Sequence, residues 1–367
     1  MIPVSAPGRP RPVVVRFTAP RTVDVHEYEP ESLAPGHVRV RTLYSGISAG
    51  TELTAFRGSN VYLNKRWDDQ RRLFTHGTRT FSYPVTGWGY SEVGEVVEIA
   101  SDIASDVDAD HVVPGDRVYG VWGHRSEAVL TAATLAGRRL PDHVDPLVGV
   151  FGRVGAIALN AVASAELHLG ENVAVFGQGV LGLLTTRLAT LSGTKVVAVD
   201  ALAARLALAE TFGARHLVDA ARGEVAEAVK LHATAAGVDV AIEISGSYRA
   251  LHEAVRSVAV GGRVVAAGFY QGEGVGLHLG EEFHLNRVQI IASQIGGLPS
   301  GLAGRWDVER LHQVFMALVE DGEIDVRPLV SHVLPVRDVA SAYALLDERP
   351  EDALQVVLDF RDPSAPA

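Results

Sequence analysis

The chain has 367 residues, 47% of them hydrophobic and 21% charged, and 33 Lys and Arg stand against 44 Asp and Glu for a net charge of −11. This length accommodates two domains, and an acidic chain without a long basic run points away from nucleic acid and anionic membranes as partners. It contains no cysteine, which excludes disulfides and every thiolate metal site.

Up to about Pro12 the chain reads as a flexible lead without the charged region and apolar core of a signal peptide. No apolar run reaches bilayer-spanning length, so a cytoplasmic protein is expected. Val13–Phe17 and His37–Tyr44 read as strands, the second alternating apolar and polar as a half-buried strand does. Ser45 to Leu53 is a glycine-punctuated loop or helix start, and Phe56–Pro84 is irregular, aromatic and rich in arginine. Strands follow at Gly87–Ile99, at Val113–Tyr119 behind a turn, and at Gly123–Leu130. Strand-rich sequence with turn signals throughout predicts a compact, barrel-like β domain.

From about Asp145 the pattern changes. Val148–His168 is helical, and strands at Val173–Phe176, Val196–Val199, Arg215–Val218, Val238–Ile244 and Gly262–Gly268 then alternate with helices. The helices are Leu181–Ser192, Ala201–Phe212, Gly223–Ala235 and Tyr248–Val258. Near-continuous apolar strands alternating with helices predict a doubly wound parallel sheet buried on both faces. Further strands are expected at Val275–Leu279 and Val288–Ile295. A helix (Trp306–Asp321), a strand (Leu329–Leu334), a helix (Val336–Leu346) and a last strand (Leu354–Phe360) read as a return to the first domain. Asp362–Ala367 reads as a frayed tail.

The stretch Val173–Asp200 carries the strongest signal: strand, Gly177-Gln-Gly179-Val180-Leu181-Gly182, helix, strand, acidic stop. Gly177 lets the chain turn sharply, Gly179 clears the backbone for a pyrophosphate, and Gly182 lets helix and strand pack closely. The phosphates then meet the helix N-terminus, where N–H groups and the dipole favour negative charge. Asp200 ends the second strand, from which a carboxylate accepts ribose hydroxyls; its charge repels a 2′-phosphate and favours NAD over NADP. Arg205 on the next helix is a cofactor-side candidate that would soften that preference, its other reading being a solvated helix face. The competing reading is a glycine turn that binds nothing.

Val113-Pro-Gly-Asp-Arg-Val118, Gly155-Ala-Ile-Ala-Leu-Asn160, the Val173–Asp200 unit and Gly261-Gly-Arg-Val-Val-Ala-Ala-Gly268 together resemble the medium-chain dehydrogenase/reductase superfamily. The resemblance implies an α/β fold in which a Rossmann domain, residues 148–299, is inserted into a split, β-rich GroES-like catalytic domain, residues 1–147 and 300–367. Where zinc-dependent members carry a cysteine, this sequence has Ser48-Ala-Gly-Thr51-Glu52. Their Gly-His-Glu is replaced by Gly89-Tyr90-Ser91, and the third ligand region reads Phe151-Gly-Arg153. Such a set lacks the N, S and carboxylate donors zinc requires. A zinc-independent member without any metal is expected, with an improvised Glu52, Glu92 and His124 site as the lesser alternative. Within the superfamily the sequence is most similar to bacteriochlorophyllide hydroxyethyl dehydrogenases and to the dehydrogenase half of polysaccharide-associated bi-domain oxidoreductases.

The resemblance implies an NAD(H)-dependent oxidoreductase interconverting a secondary alcohol and a ketone on a small polar, sugar-like or anionic substrate, working as a homodimer. Thr51 matches the family's relay hydroxyl, Tyr90 occupies a former ligand position from which its phenol can donate to a carbonyl, and His124 is a candidate general acid/base. Glu52 and Glu92 are expected to make structural bonds behind the site. Ser48 and Arg153 are candidate substrate contacts, as are Arg66 and Trp67 in the arginine-rich segment Arg57–Tyr83, since guanidinium groups bind oxyanions bidentately. On the cofactor side, Ser245, Gly268 and Phe269 end Rossmann strands, and Ser293 stands where the family meets the carboxamide. The alternatives are reduction of a C=C or C=N bond, and a dinucleotide-binding sensor or subunit without turnover.

Overall fold

The computed structural model describes residues 11–103 and 112–362. The expected flexible lead, Arg11 and Pro12 apart, and the expected tail beyond Asp362 lie outside the described residues. The chain divides into two compact units: Met1–Arg153 with Val326–Ala367, and Val154–Asp325.

Unit one opens with β1 (Val13–Ala19), β2 (Thr22–Glu27) and β3 (His37–Gly46). The short helix α1 (Glu52–Arg57) follows directly on the glycine-punctuated loop. β4 (Arg66–Asp68) and β5 (Leu73–Thr75) then make a two-stranded hairpin inside the segment the sequence pattern leaves irregular. Next come β6 (Val85–Thr86), β7 (Glu92–Ile99), β8 (Arg117–Gly120), β9 (Glu127–Thr131), α2 (Ala132–Leu135) and β10 (Arg139–Leu140).

Unit two begins within α3 (Gly152–Ser164) and alternates β11 (Asn172–Phe176), α4 (Val180–Leu191), β12 (Lys195–Asp200), α5 (Ala203–Thr211), β13 (His216–Asp219), α6 (Val225–Leu231), β14 (Val238–Glu243), α7 (Tyr248–Ser257) and β15 (Val258–Ala266). It closes with α8 (Glu282–Leu285), β16 (Gln289–Ala292) and α9 (Val308–Glu320). The chain then returns to unit one as β17 (Val330–Pro335), α10 (Val339–Glu348) and β18 (Gln355–Asp359).

In unit one the long sheet runs β10-β8-β7-β3-β18-β17, with β9 also paired to β3, and β2-β1-β6 form a smaller sheet. Strand β18 lies antiparallel to β3, so the C-terminal return is built into the sheet that the N-terminal strands begin. Helix α10 completes the core: the Tyr343 ring stands 5.1 Å from Phe17 and 5.3 Å from Phe56.

Unit two is a six-stranded sheet, order β13-β12-β11-β14-β15-β16, parallel throughout. Its central strands are apolar because both faces are covered; Val173, Ala174, Val175, Ile242 and Val264 are fully buried. Between β11 and β14 the strand order reverses, and crevices that hold ligands form at the carboxyl ends of such a pair.

Several elements differ from the sequence pattern. Val275–Leu279 is not a strand: Gly272 and Gly276 sit at φ +72° and +87°, which turns the backbone out of an extended course. The units divide at 153/154 and 325/326, whereas the residue pattern places the change at 147/148 and 299/300. α9 accounts for the second shift, because fully buried Phe315 packs its ring directly on Gly155. One apolar run, Pro146–Ser164, is in fact 19 residues long and apolar enough to cross a bilayer by composition, but 72% of it is buried in the protein, as in a core helix.

A Cβ at position 155 would overlap the Phe315 ring. Gly155→Ala is therefore expected to destabilise unit two by about 1–3 kcal/mol in urea unfolding, and Phe315→Leu in the same chain to recover part of the loss.

Candidate active site

The glycine turn follows β11. Gly177 has φ +90°, and a side chain there would meet Ser245 Cβ at 2.8 Å. At Gly182 a Cβ would overlap the Gly177 carbonyl oxygen, so helix and turn approach more closely than any other residue permits. At Gly179 nothing lies within 4 Å of the added carbon, which leaves the backbone open to a ligand. No side chain caps α4 at Gly179, so the first N–H groups of the helix are left without a side-chain acceptor.

Gln178 escapes the motif reading yet holds this turn. It is fully buried, donates from Nε2 to Val175 O at 2.9 Å and accepts from Thr186 Oγ1 at 2.9 Å. Asp200 braces the same turn, its Oδ2 accepting Gln178 N–H at 2.6 Å and its Oδ1 accepting Leu202 N–H at 2.9 Å. The carboxylate is thus committed in part to its own loop, and roughly half its lone-pair positions stay open to hydroxyls. Arg205 lies on α5, partly exposed.

Across the reversal point, β14 ends in the fully buried Glu243. It accepts Ser245 N–H at 2.8 Å, Gly246 N–H at 3.2 Å and the hydroxyls of Ser245 and Tyr270. Burial pushes the Glu243 carboxyl up against the pull of these bonds. The Tyr270 phenol is pushed up by burial and then by the Glu243 charge. Ser245 therefore spends its hydroxyl on Glu243 rather than presenting it to a ligand. Gly268 has no room for a side chain against Gly246 N, whereas Phe269 is 45% exposed. Ser293 is likewise engaged, its Oγ 3.3 Å from both Asn160 Nδ2 and Ser164 Oγ. A charged residue ending the apolar run Val240–Ile242 was the one signal in the sequence for Glu243.

In unit one, Ser48, Tyr90 and Thr51 come together. Ser48 Oγ is hydrogen-bonded to Tyr90 OH, and Tyr90 OH donates to Thr51 Oγ1 at 3.4 Å, giving a chain of three hydroxyls. Thr51 precedes α1 but makes no side-chain capping bond. All three side chains are partly exposed. Burial raises the Tyr90 pKa and Glu52 adds to it, while hydrogen bonds from Ser48 and Thr51 and the charge of Arg153 pull the other way.

Behind the hydroxyls lies a buried ionic cluster. Glu52 and Glu92 are fully buried and His124 is 1% exposed. Glu52 Oε2 accepts from His124 Nε2 at 2.6 Å and from Tyr343 OH at 2.5 Å, and its Oε1 accepts Ser48 N–H at 2.8 Å. Ser45 Oγ bridges the other side, 2.5 Å from His124 Nδ1 and 3.0 Å from Glu92 Oε1. Glu92 Oε2 accepts Trp122 N–H at 2.8 Å. Burial raises the Glu92 pKa. Burial alone would lower His124, but the Glu52 charge, its hydrogen bond and Glu92 outweigh it and raise the group. His124, expected as a general acid/base, is enclosed with both ring nitrogens engaged, so it reaches a substrate only through its neighbours. Ser45 and Tyr343 carried no signal in the sequence.

Zinc does not fit these residues. Ser48, Tyr90 and Arg153 stand at the expected ligand positions without three suitable donors. Glu52, Glu92 and His124 spend their donor atoms on one another and on Ser45, Tyr343 and the backbone. Among the described residues no group of three or more His, Cys, Asp or Glu could hold a metal ion.

Arg66 and Trp67 stand apart on the β4–β5 hairpin, where Trp67 packs on Phe74 at 5.0 Å and Arg72 lies over its ring at 5.9 Å. Arg66 is exposed, and Arg153 acts on Tyr90 by its charge.

Residues 180–309 match a family model described as zinc-binding dehydrogenase. D-guloside 3-dehydrogenase of Shigella flexneri is 27% identical over 351 residues, 94% of this chain and 98% of that one. A 2-desacetyl-2-hydroxyethyl bacteriochlorophyllide A dehydrogenase of Cereibacter sphaeroides is 27% identical over 96% of this chain and 99% of its own. A putative zinc-binding dehydrogenase of Sinorhizobium meliloti, solved with NADP bound, superposes with a TM-score of 0.76 at 22% identity, covering 96% of this chain and all of that one. The chain is similar along nearly its whole length to medium-chain, zinc-type dehydrogenases. For this dehydrogenase the superfamily label and the donor set part company at Ser48 and Tyr90.

His124 and Glu92 both have raised pKa values in the fold. Such groups stabilise the fold below their unfolded pKa and lose that contribution as pH rises through the folded value. The urea midpoint is therefore expected to fall as pH rises from the ordinary histidine value of 6.5 into the alkaline range, and to fall less steeply in His124→Gln.

Proposed function

We propose that this dehydrogenase is a zinc-independent, NAD(H)-dependent enzyme interconverting a secondary alcohol and its ketone on a small polar molecule of sugar or polyol type. The observation that carries the proposal is the Ser48–Tyr90–Thr51 hydroxyl chain, standing where metal-dependent relatives place ligands. D-guloside 3-dehydrogenase, whose name gives a sugar derivative as substrate, supports the substrate class.

A bound nicotinamide dinucleotide supplies the hydride acceptor. The Gly177–Gly182 turn and the α4 N-terminus would hold its pyrophosphate, and Asp200 its adenosine ribose, with a charge that disfavours a 2′-phosphate. Hydride leaves the carbinol carbon with the C–H electron pair, and the O–H proton must leave the same molecule. The raised pKa of Tyr90 keeps its phenol protonated at neutral pH, so it donates a hydrogen bond to the substrate oxygen and stabilises the charge that develops there. In oxidation the substrate O–H proton would pass to Tyr90 Oη as Tyr90 gives its own to Thr51 Oγ1 and Thr51 gives its own to solvent. The proton Tyr90 then presents to the substrate oxygen is the one it has received, and reduction runs the relay in reverse. A homodimer belongs to the same proposal: β16 is an edge strand of the parallel sheet and carries Ile290 and Ile291, the kind of edge that pairs with a second copy.

Tyr90→Phe is expected to lower kcat for polyol oxidation by about a hundredfold while leaving NADH affinity unchanged in a fluorescence titration. Retained turnover would remove Tyr90 from the chemistry. NADH should raise the melting temperature more than NADPH at equal concentration, and the reverse order would assign the cofactor as NADP.

A further inference from the structure

The donors around His124 fix how many protons the buried cluster holds. Ser45 has one O–H, and with Glu92 ionised it donates to Glu92 Oε1 at 3.0 Å. Ser45 Oγ can then meet His124 Nδ1 at 2.5 Å only as an acceptor, so Nδ1 carries a proton. Nε2 faces the Glu52 carboxylate at 2.6 Å and carries one as well. With both ring nitrogens donating, the ring is an imidazolium, and Glu92 Oε1 lies 3.9 Å from Nδ1 on its far side.

We propose that His124 is a positioning residue, a fixed internal cation between Glu52 and Glu92 that sets the charge behind the Ser48–Tyr90–Thr51 hydroxyls. The proposal rests on the oxidoreductase assignment above. Without the cation, the buried Glu52 carboxylate would oppose any negative charge developing on a substrate oxygen at Tyr90. With it, the cluster carries a single negative charge, and Glu52, the carboxylate whose field reaches Tyr90, is the one the imidazolium touches.

The groups facing His124 come from every element around it: Glu52 from α1, Glu92 from β7, Ser45 from β3 and, through Glu52, Tyr343 from α10. Arg153 is the other charge acting on Tyr90. The arrangement gives this chain a protein-borne positive charge beside residues that metal-binding relatives devote to an ion. It also explains why a histidine and two glutamates sit in a closed core: each carboxylate has a donor on both oxygens, and the ring has an acceptor on both nitrogens.

The test uses the full chain labelled with 15N-histidine. At neutral pH both His124 ring nitrogens should give protonated-type signals, persisting above the ordinary histidine value of 6.5. The His124 signals are assigned by their loss in His124→Gln or, should that variant not fold, by their displacement in Glu92→Gln. An unprotonated His124 nitrogen at neutral pH overturns the proposal. Glu92→Gln removes one of the two negative charges acting on His124 and keeps the Glu52 contact, so the His124 ring should lose its proton at lower pH than in the parent protein. An unmoved His124 midpoint overturns the proposal too, because a proton resting on Glu92 instead of His124 predicts no shift. In turnover, Glu92→Gln should move the pH profile of kcat downward and leave KM for the dinucleotide unchanged. A parent protein that turns over no alcohol or ketone sinks the oxidoreductase assignment, while the two NMR readouts still decide the charge state of His124.

Discussion

Two carboxyl groups buried away from solvent need hydrogen-bonding partners inside the protein, and in unit one both stand against His124. The requirement reaches outward through the fold. Glu52 opens α1, so its bond to His124 anchors the helix that starts just after Ser48. Its bond to Tyr343 ties the returning C-terminal helix to the same point, and its bond to Ser48 N–H fixes the backbone that carries a hydroxyl of the site. Glu92 begins β7 two residues after Tyr90, and Ser45 lies near the end of β3. The polar cluster thus joins an N-terminal strand, a central strand and a C-terminal helix, and the aromatic packing of Phe17, Phe56 and Tyr343 closes round it.

Unit two solves a different problem, that of bringing backbone close to a charged ligand. Its means are steric more than ionic. Gly182 lets α4 rest on the carbonyl of Gly177, and Gly268 lets the loops after β14 and β15 touch. Buried polar side chains then lock these approaches: Gln178 spans β11 and α4, and Glu243 gathers the N–H and O–H groups of the next loop. Asp200 belongs to the same scheme, since it braces the glycine turn while keeping acceptor capacity for hydroxyls. Ser245 and Ser293, both legible as candidates from their positions, turn out to be structural partners of Glu243 and Asn160.

Much of the architecture is legible in the chain itself. The alternation of apolar strands and helices from Val173 to Ala266 marks a buried parallel sheet, and the glycine spacing marks its turn, because both are local regularities of the chain. Structure and sequence pattern part where local regularity says least. Val275–Leu279 has the apolar content of a strand, but its neighbouring glycines release the backbone into turns. The β4–β5 hairpin is held by Trp67 and Phe74 across a short connection that no periodicity announces. α9 falls in unit two because one ring, Phe315, fits over one glycine, Gly155.

The sequence by itself determined the dinucleotide-type turn, the absence of thiolate ligands, and the presence of Ser48, Tyr90 and Thr51 where a metal-dependent relative would differ. Those properties depend on residue type and short spacing. Tertiary structure alone decided that His124 is enclosed, that Glu52 meets Tyr343 from 291 positions away, and that Arg66 and Trp67 occupy a hairpin of their own. Burial and hydrogen-bond partnership between distant segments are properties of the packed chain, and a histidine's charge depends on what surrounds it more than on where it falls in the sequence.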